Sequence, residues 1–208
     1  MKIFDAYGFE KDGEINGTSY ESFKHIGGAG QEIWFCAGAT NNTALTTGAT
    51  SGNVIRAIPF IAPGRGGILD RLAINVTANS AGSGIIGIYE NTNDWTLYPS
   101  GLIYQTPQFT TGSNGIKTTS VTVRLNPGQL YWMTYWNNSS ATLRALALGG
   151  IVNLLGFNSN LPTTPNIGYA YGMTYPVGIT PSLPAIFPLS AVRVLAVPIP
   201  GLFYRYGA

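Results

Sequence analysis

No window of twelve residues in this chain places apolar side chains at i, i+3, i+4 and i+7 without a Gly or Pro breaking the run. Short alternating segments separated by turn residues recur instead. Residues 68–77 (ILDRLAINVT) set Leu72, Ile74 and Val76 on one face and Arg71, Asn75 and Thr77 on the other. Residues 118–125 (TTSVTVRL) point Val121, Val123 and Leu125 inward and Thr122 and Arg124 outward, and Asn126-Pro127-Gly128 is a turn. The same reading predicts strands at 33–37, 53–61, 84–90, 102–106, 130–136, 142–148 and 190–197, with 169–175 extended inside a Pro-rich stretch. Strands recurring every 8–15 residues or so predict an all-β sandwich or barrel. No repeat of 20–50 residues supports a propeller or solenoid.

The composition permits a real core. Gly and Pro are frequent (27 and 13 of 208 residues), yet hydrophobic residues make up 45% of the chain and aromatics 12%. Charged residues are only 10%, against about 25% in an ordinary globular domain. Six of the nine acids lie in residues 1–32, none follows Asp94, and the 48 residues between Arg144 and Arg193 carry no formal charge. So weakly charged a surface is expected to be covered by copies of the chain or by other proteins. Residues 1–30, charged and Gly-rich, are expected to form an N-terminal arm or anchor, with the β-domain over 31–208.

Single Cys and His residues, Cys36 and His25, exclude an intramolecular disulfide and a Cys/His zinc site. No Lys/Arg cluster is present to neutralise phosphates, so nucleic acid is not an expected partner. The most apolar run, 145–157, is thirteen residues with three glycines and an Asn, too short for a membrane helix. The acidic start MKIFDAYGFEKDGE lacks the apolar stretch of a secretory signal, so assembly in the cytoplasm without membrane insertion is expected.

Four segments carry a resemblance. They are AIPFIAPGRGGILDRLAINVT (57–77), AGSGIIGIYENTNDWTLYPSGLI (81–103), GIKTTSVTVRLNPGQLYWMTYWNNSSATLRAL (115–146) and, more loosely, a Tyr/Gly/Pro-rich stretch ending in SAVRVLAV (190–197). Over about residues 31–200 the chain resembles the β-domain of tailed-bacteriophage virion proteins: head fibres, capsid decorations and tail-fibre or adhesin modules. The resemblance implies an antiparallel jelly-roll-like β-sandwich, often trimeric, on a virion surface, and implies no catalytic residue.

Several constellations invite chemistry. Glu90 and Asp94 beside Trp95 have the makings of a glycosidase pair or a calcium loop, but an Asn/Asp-rich turn between strands reads more simply. His25 (in SFKHIGGAG) and Cys36 (in an apolar run) read as packing residues. Gly27–Gly30 reads as a hinge, and Gly64–Gly67 is no phosphate loop, because neither stretch opens a helix or carries Lys-Ser/Thr. The aromatics say more. In 131–136, Tyr131, Met133 and Tyr135 share one face and Trp132 and Trp136 the other. Tyr169, Tyr171 and Tyr175 also share a side. Such stripes fit a protomer interface, a sugar-stacking surface or the domain's own core. Phe203, Tyr204 and Tyr206 end the chain in a run expected to dock on a neighbour or on the arm.

The expected protein is therefore structural: a virion subunit of decoration or fibre type. It would self-associate as a homotrimer, anchor to capsid or tail proteins through residues 1–30, and need no cofactor or metal. A host-glycan adhesin is the alternative, and a polysaccharide hydrolase follows at a distance because acids and His are scarce.

Overall fold

The computed structural model describes residues 34–39, 45–62, 67–92, 96–147, 155, 166–175, 180–195 and 199–206. Residues 1–30, His25 and the proposed arm boundary lie outside them. Fourteen strands and no helix occur among the described residues. They are β1 (Phe35–Cys36), β2 (Leu45–Ala49), β3 (Val54–Ile61), β4 (Gly67–Ala78), β5 (Ser83–Asn91), β6 (Pro99–Gln105) and β7 (Phe109–Thr110). Next come β8 (Gly115–Leu125), β9 (Leu130–Asn137), β10 (Thr142–Leu146), β11 (Asn166–Gly172), β12 (Val192–Leu195), β13 (Ile199–Pro200) and β14 (Phe203–Tyr206).

The strands form two antiparallel sheets packed face to face. In the first, β4 pairs with β8 along nearly its whole length, and on its other side with β14 and, further along, β10. β10 pairs in turn with β2 and β13, and β14 with β1. The β13–β14 run therefore lies as a wedge between β4 and β10, and the sheet forks around it. The second sheet runs β12-β11-β3-β9-β5-β6, with β7 also on β5.

Alternation decides which side chains meet. Leu69, Leu72, Ile74 and Val76 of β4, Val121, Val123 and Leu125 of β8, and Tyr204 of β14 face Ile58, Phe60, Ile86, Ile88, Tyr131, Met133 and Tyr135 of the second sheet. Leu69 and Leu72 break the period of two, yet both are fully buried, because the register against β8 shifts between Leu69 and Arg71. Such an irregularity resets which face the next side chain takes. Thr122 and Arg124 are exposed, as the alternation of β8 requires. The predicted 126–128 turn joins β8 to β9. Gly128 sits at φ 67°, where a side chain would be strained, and its N–H donates to the Ala62 carbonyl.

Two segments differ from the sequence-based expectation. Residues 45–49 (LTTGA), a Thr/Gly stretch outside the expected strands, form β2. Their own side chains bury little; the pairing comes from the edge of β10. The aromatic tail expected to dock on a neighbour or the arm is β14, a strand of the chain's own sheet.

Candidate functional site

The outer face of the second sheet carries most of the aromatic residues singled out above. β9 is apolar on both sides, so Trp132 and Trp136 point away from the inter-sheet core. Ile55 and Ala57 of β3, Ile85 and Tyr89 of β5, and Tyr169 of β11 share that face. Left to solvent, it would be a large wet apolar surface. The chain covers it itself, with residues 183–188 as a strap over part of it and Tyr98, Tyr171, Met173 and Tyr175 over the rest.

This strap is held at one edge like an extra strand. Leu102 N–H donates to the Ala185 carbonyl (2.8 Å), Phe187 N–H donates to the Ser100 carbonyl (2.9 Å), and Ile186 bridges to Gly101. Leu183 N–H donates to Gln105 Oε1 (2.7 Å). Pro184 and Pro188 fix φ and offer only carbonyls, and two tyrosines use them: Tyr89 Oη donates to Pro184 O (2.7 Å) and Tyr98 Oη to Pro188 O (2.6 Å). Leu183 and Phe187 are thereby pressed onto the sheet, 4% and 0% exposed. Phe187 stands edge-on to Tyr89 with centroids 5.3 Å apart. Gly87 lies beneath Leu183, where a Cβ would collide with the leucine's Cδ1.

Five of the candidate residues meet here. Trp132 and Trp136 are both 0% exposed, so neither offers a ring to a sugar or to a second protomer. Their indole N–H groups are satisfied internally, by Asn91 Oδ1 and Met173 O, each at 2.9 Å. Tyr169 lies between Tyr98 (4.5 Å) and Trp132 (5.6 Å). Tyr171 and Tyr175 are half-buried at the margin, and Tyr175 stands edge-on to Trp136 at 5.2 Å and donates its hydroxyl to Ser182 O. For Trp132 and Trp136, of the three readings of this stripe, the chain's own core is the one the burial matches.

Phe203, Tyr204 and Tyr206 lie elsewhere. Tyr204 points between the sheets, 5.0 Å from Phe60 and 5.7 Å from Phe35, and Tyr206 is edge-on to it at 5.7 Å. Burial raises the phenol pKa of Tyr89, Tyr135, Tyr204 and Tyr206 above the usual value. On the outer face of this sheet, Arg205 pairs with Asp70 through Nε (2.9 Å) and Nη2 (2.5 Å) and lies 5.9 Å over the Trp34 ring.

The other candidates divide. Asn91 Oδ1 accepts from Tyr98 N–H (3.1 Å) as well as from Trp132, and Thr92 Oγ1 donates to Thr96 O (2.6 Å), so this loop binds its own backbone. Glu90 is exposed, and Asp94 and Trp95 lie outside the described residues. The Cys36 thiol is pushed up to about 12 by burial, the Leu202 backbone partly opposing. It is therefore neutral and unreactive at ordinary pH. No group of His, Cys, Asp and Glu suited to a metal occurs among the described residues.

Sequence reasoning missed the strap and the surface around it. Leu183 and Phe187 follow neither the strand nor the helix period, and only the spacing of Pro181, Pro184 and Pro188 hints at an extended cover. The elements of this covered face also expose aliphatic side chains: Leu97 before β6, Ile103 on β6, Ile186 and Leu189 on or just after the strap, and Val192 on β12. Leu189 is 84% exposed. No protein-family model matches this chain, and no curated protein matches it either.

Proposed function

We propose that this chain is a structural virion subunit of a tailed phage, of capsid-decoration or fibre type, built on a jelly-roll domain that self-associates as a homotrimer. The strand order carries this reading. Setting aside the wedge and the short additions, β2-β10-β4-β8 faces β3-β9-β5-β6. With β7 left out, the chain crosses between the sheets at every step except β5 to β6, an order that supports the double Greek-key reading of a jelly roll, an architecture used by viral capsid and lectin domains. The phage resemblance of 57–77, 81–103 and 115–146 falls on β3–β6 and β8–β10, the strands that make this order.

Self-association is assigned to the aliphatic surface around the strap rather than to the Trp rings, since Trp132 and Trp136 are enclosed. Ile186, Leu189 and Val192 are each at least 65% exposed and lie in the long segment without charge, the character of a protomer contact. Residues 1–30 would anchor the subunit to capsid or tail proteins. Enclosure of the tryptophans also removes the widest platforms that the glycan-adhesin alternative would use.

Light scattering on the purified full-length chain tests the reading. A stable trimer that dissociates on Leu189→Asp supports it. A wild-type monomer at micromolar concentration overturns it.

A further inference from the structure

The strongest unexplained feature lies between the sheets at one end. Arg56 is on β3 between Ile55 and Ala57, which face outward, and so shares the inward face of Ile58 and Phe60. Directly opposite it in register on β9 is Tyr135, 0% exposed and flanked by the Phe109 ring at 6.4 Å. Arg56 reaches the rim through Nη2, which donates to Ser51 Oγ at 3.4 Å. Its other terminus, Nη1, is buried without a hydrogen-bond partner, and so is the Tyr135 hydroxyl. Asp70 and Glu90, the acids among the described residues, are placed elsewhere: Asp70 on Arg205, Glu90 exposed at the end of β5.

Two orphaned donors on a cross-strand pair, one of them charged, define a chemistry. A water molecule between them would satisfy hydrogen bonds but leave the half-buried guanidinium without a counter-charge beside its buried Nη1. An anion would do both, through charge-assisted bonds. We propose that Arg56 Nη1 and Tyr135 Oη hold a small monovalent anion, a halide or a carboxylate, at this end of the sandwich. Asn137 Oδ1, two residues further on the same face, is also unpartnered and can only accept. It offers an anion no donor, so an anion must lie away from it. The site is independent of any virion role.

Thermal unfolding of the full chain tests this at fixed ionic strength, with sodium chloride or sodium acetate replacing sodium gluconate, the bulky reference anion. The expected result is a midpoint that rises with the logarithm of concentration above the dissociation constant, by roughly 3–6 °C at ten times that constant. Whichever of chloride and acetate acts at lower concentration identifies the preferred anion. Tyr135→Phe should move the rise to higher concentration, Arg56→Met should remove it, and Arg193→Met, on an exposed side chain, should keep it. A wild-type midpoint equal in all three salts, or a rise undiminished in Arg56→Met, overturns the proposal. Should Arg56→Met fail to fold, chloride-35 NMR on wild type and Tyr135→Phe decides. Excess line broadening reduced at least about threefold by the hydroxyl's removal supports the site. No excess chloride broadening together with no acetate-dependent rise in the wild-type midpoint, or broadening unchanged in Tyr135→Phe, overturns it.

Discussion

Replacing Phe187 by Ala removes the largest side chain with which the strap covers the second sheet. The ring is 0% exposed and touches Tyr89 edge-on at 5.3 Å and Tyr98 at 6.1 Å. Large-to-small changes at such positions cost about 3–5 kcal/mol, the lost transfer energy plus the cavity left behind. The cavity would not collapse easily. The strap backbone is fixed on both sides of the residue, by Phe187 N–H on Ser100 and by the Tyr89 and Tyr98 hydroxyls on Pro184 and Pro188. With a urea slope of about 2 kcal/mol per molar, a loss of about 4 kcal/mol lowers the unfolding midpoint by about 2 M. The strap is held by one edge pairing, two phenols and the Leu183–Gln105 bond rather than by a full ladder. Phe187→Ala should therefore loosen it below the global transition. Trp132 and Trp136, dry in the native protein, would then show red-shifted emission in the absence of urea. A loss under about 1 kcal/mol with unshifted emission would show that the strap does not hold this face closed, and the argument from its hydrogen bonds would fail.

Other perturbations discriminate between parts of the structure. Gly168→Ala places a Cβ against the Ala57 carbonyl oxygen, so β11 must leave β3; a loss above about 2 kcal/mol or insolubility is expected, and wild-type stability would refute the pairing. Asp70→Asn breaks the Arg205 pair, whose partners keep 17% and 31% of their side-chain exposure, so a loss of only about 0.5–1 kcal/mol in urea is expected and 2 kcal/mol or more would contradict it. Alkaline pH acts through groups whose native pKa is raised, the Cys36 thiol from 9.0 to about 12 and the Tyr89, Tyr135, Tyr204 and Tyr206 phenols upward. The unfolded chain loses these protons first, so stability is complete below about pH 9 and falls steadily above it; phenolate absorbance at 295 nm should rise together with unfolding. An early phenolate rise embracing all these tyrosines, with the fold intact, would show them to be wet.

Alternation made much of the sandwich legible. Leu72, Ile74 and Val76 of β4 and Val121, Val123 and Leu125 of β8 are buried as read, because a strand with one wet face must alternate. β2 was illegible for the complementary reason: Thr46, Thr47 and Gly48 pair for the sake of β10's backbone, and their side chains record nothing of it. The two-sided apolar pattern of β9 announced that something covers Trp132 and Trp136, but not what. A covering segment that supplies Leu183 and Phe187 from an irregular Pro-spaced path has no period to read. The Arg56–Tyr135 pair left no local trace, since each residue is unremarkable until register sets one opposite the other.

The wedge of β13 and β14 also governs how the molecule is made. β4 ends at Ala78, and its partner β14 is completed only at Tyr206, about 130 residues later. At 5–20 residues per second, the apolar edge of β4 waits roughly 6–26 s for the strand that fills the fork. During that time Phe60 and Leu72 lack the Tyr204 ring that closes over them. The first sheet thus closes late, by a long-range pairing of the kind that slows folding. Nascent chains arrested before residue 203 should be protease-sensitive, and full-length chains released with the fork still open should be prone to exchange that strand with one another.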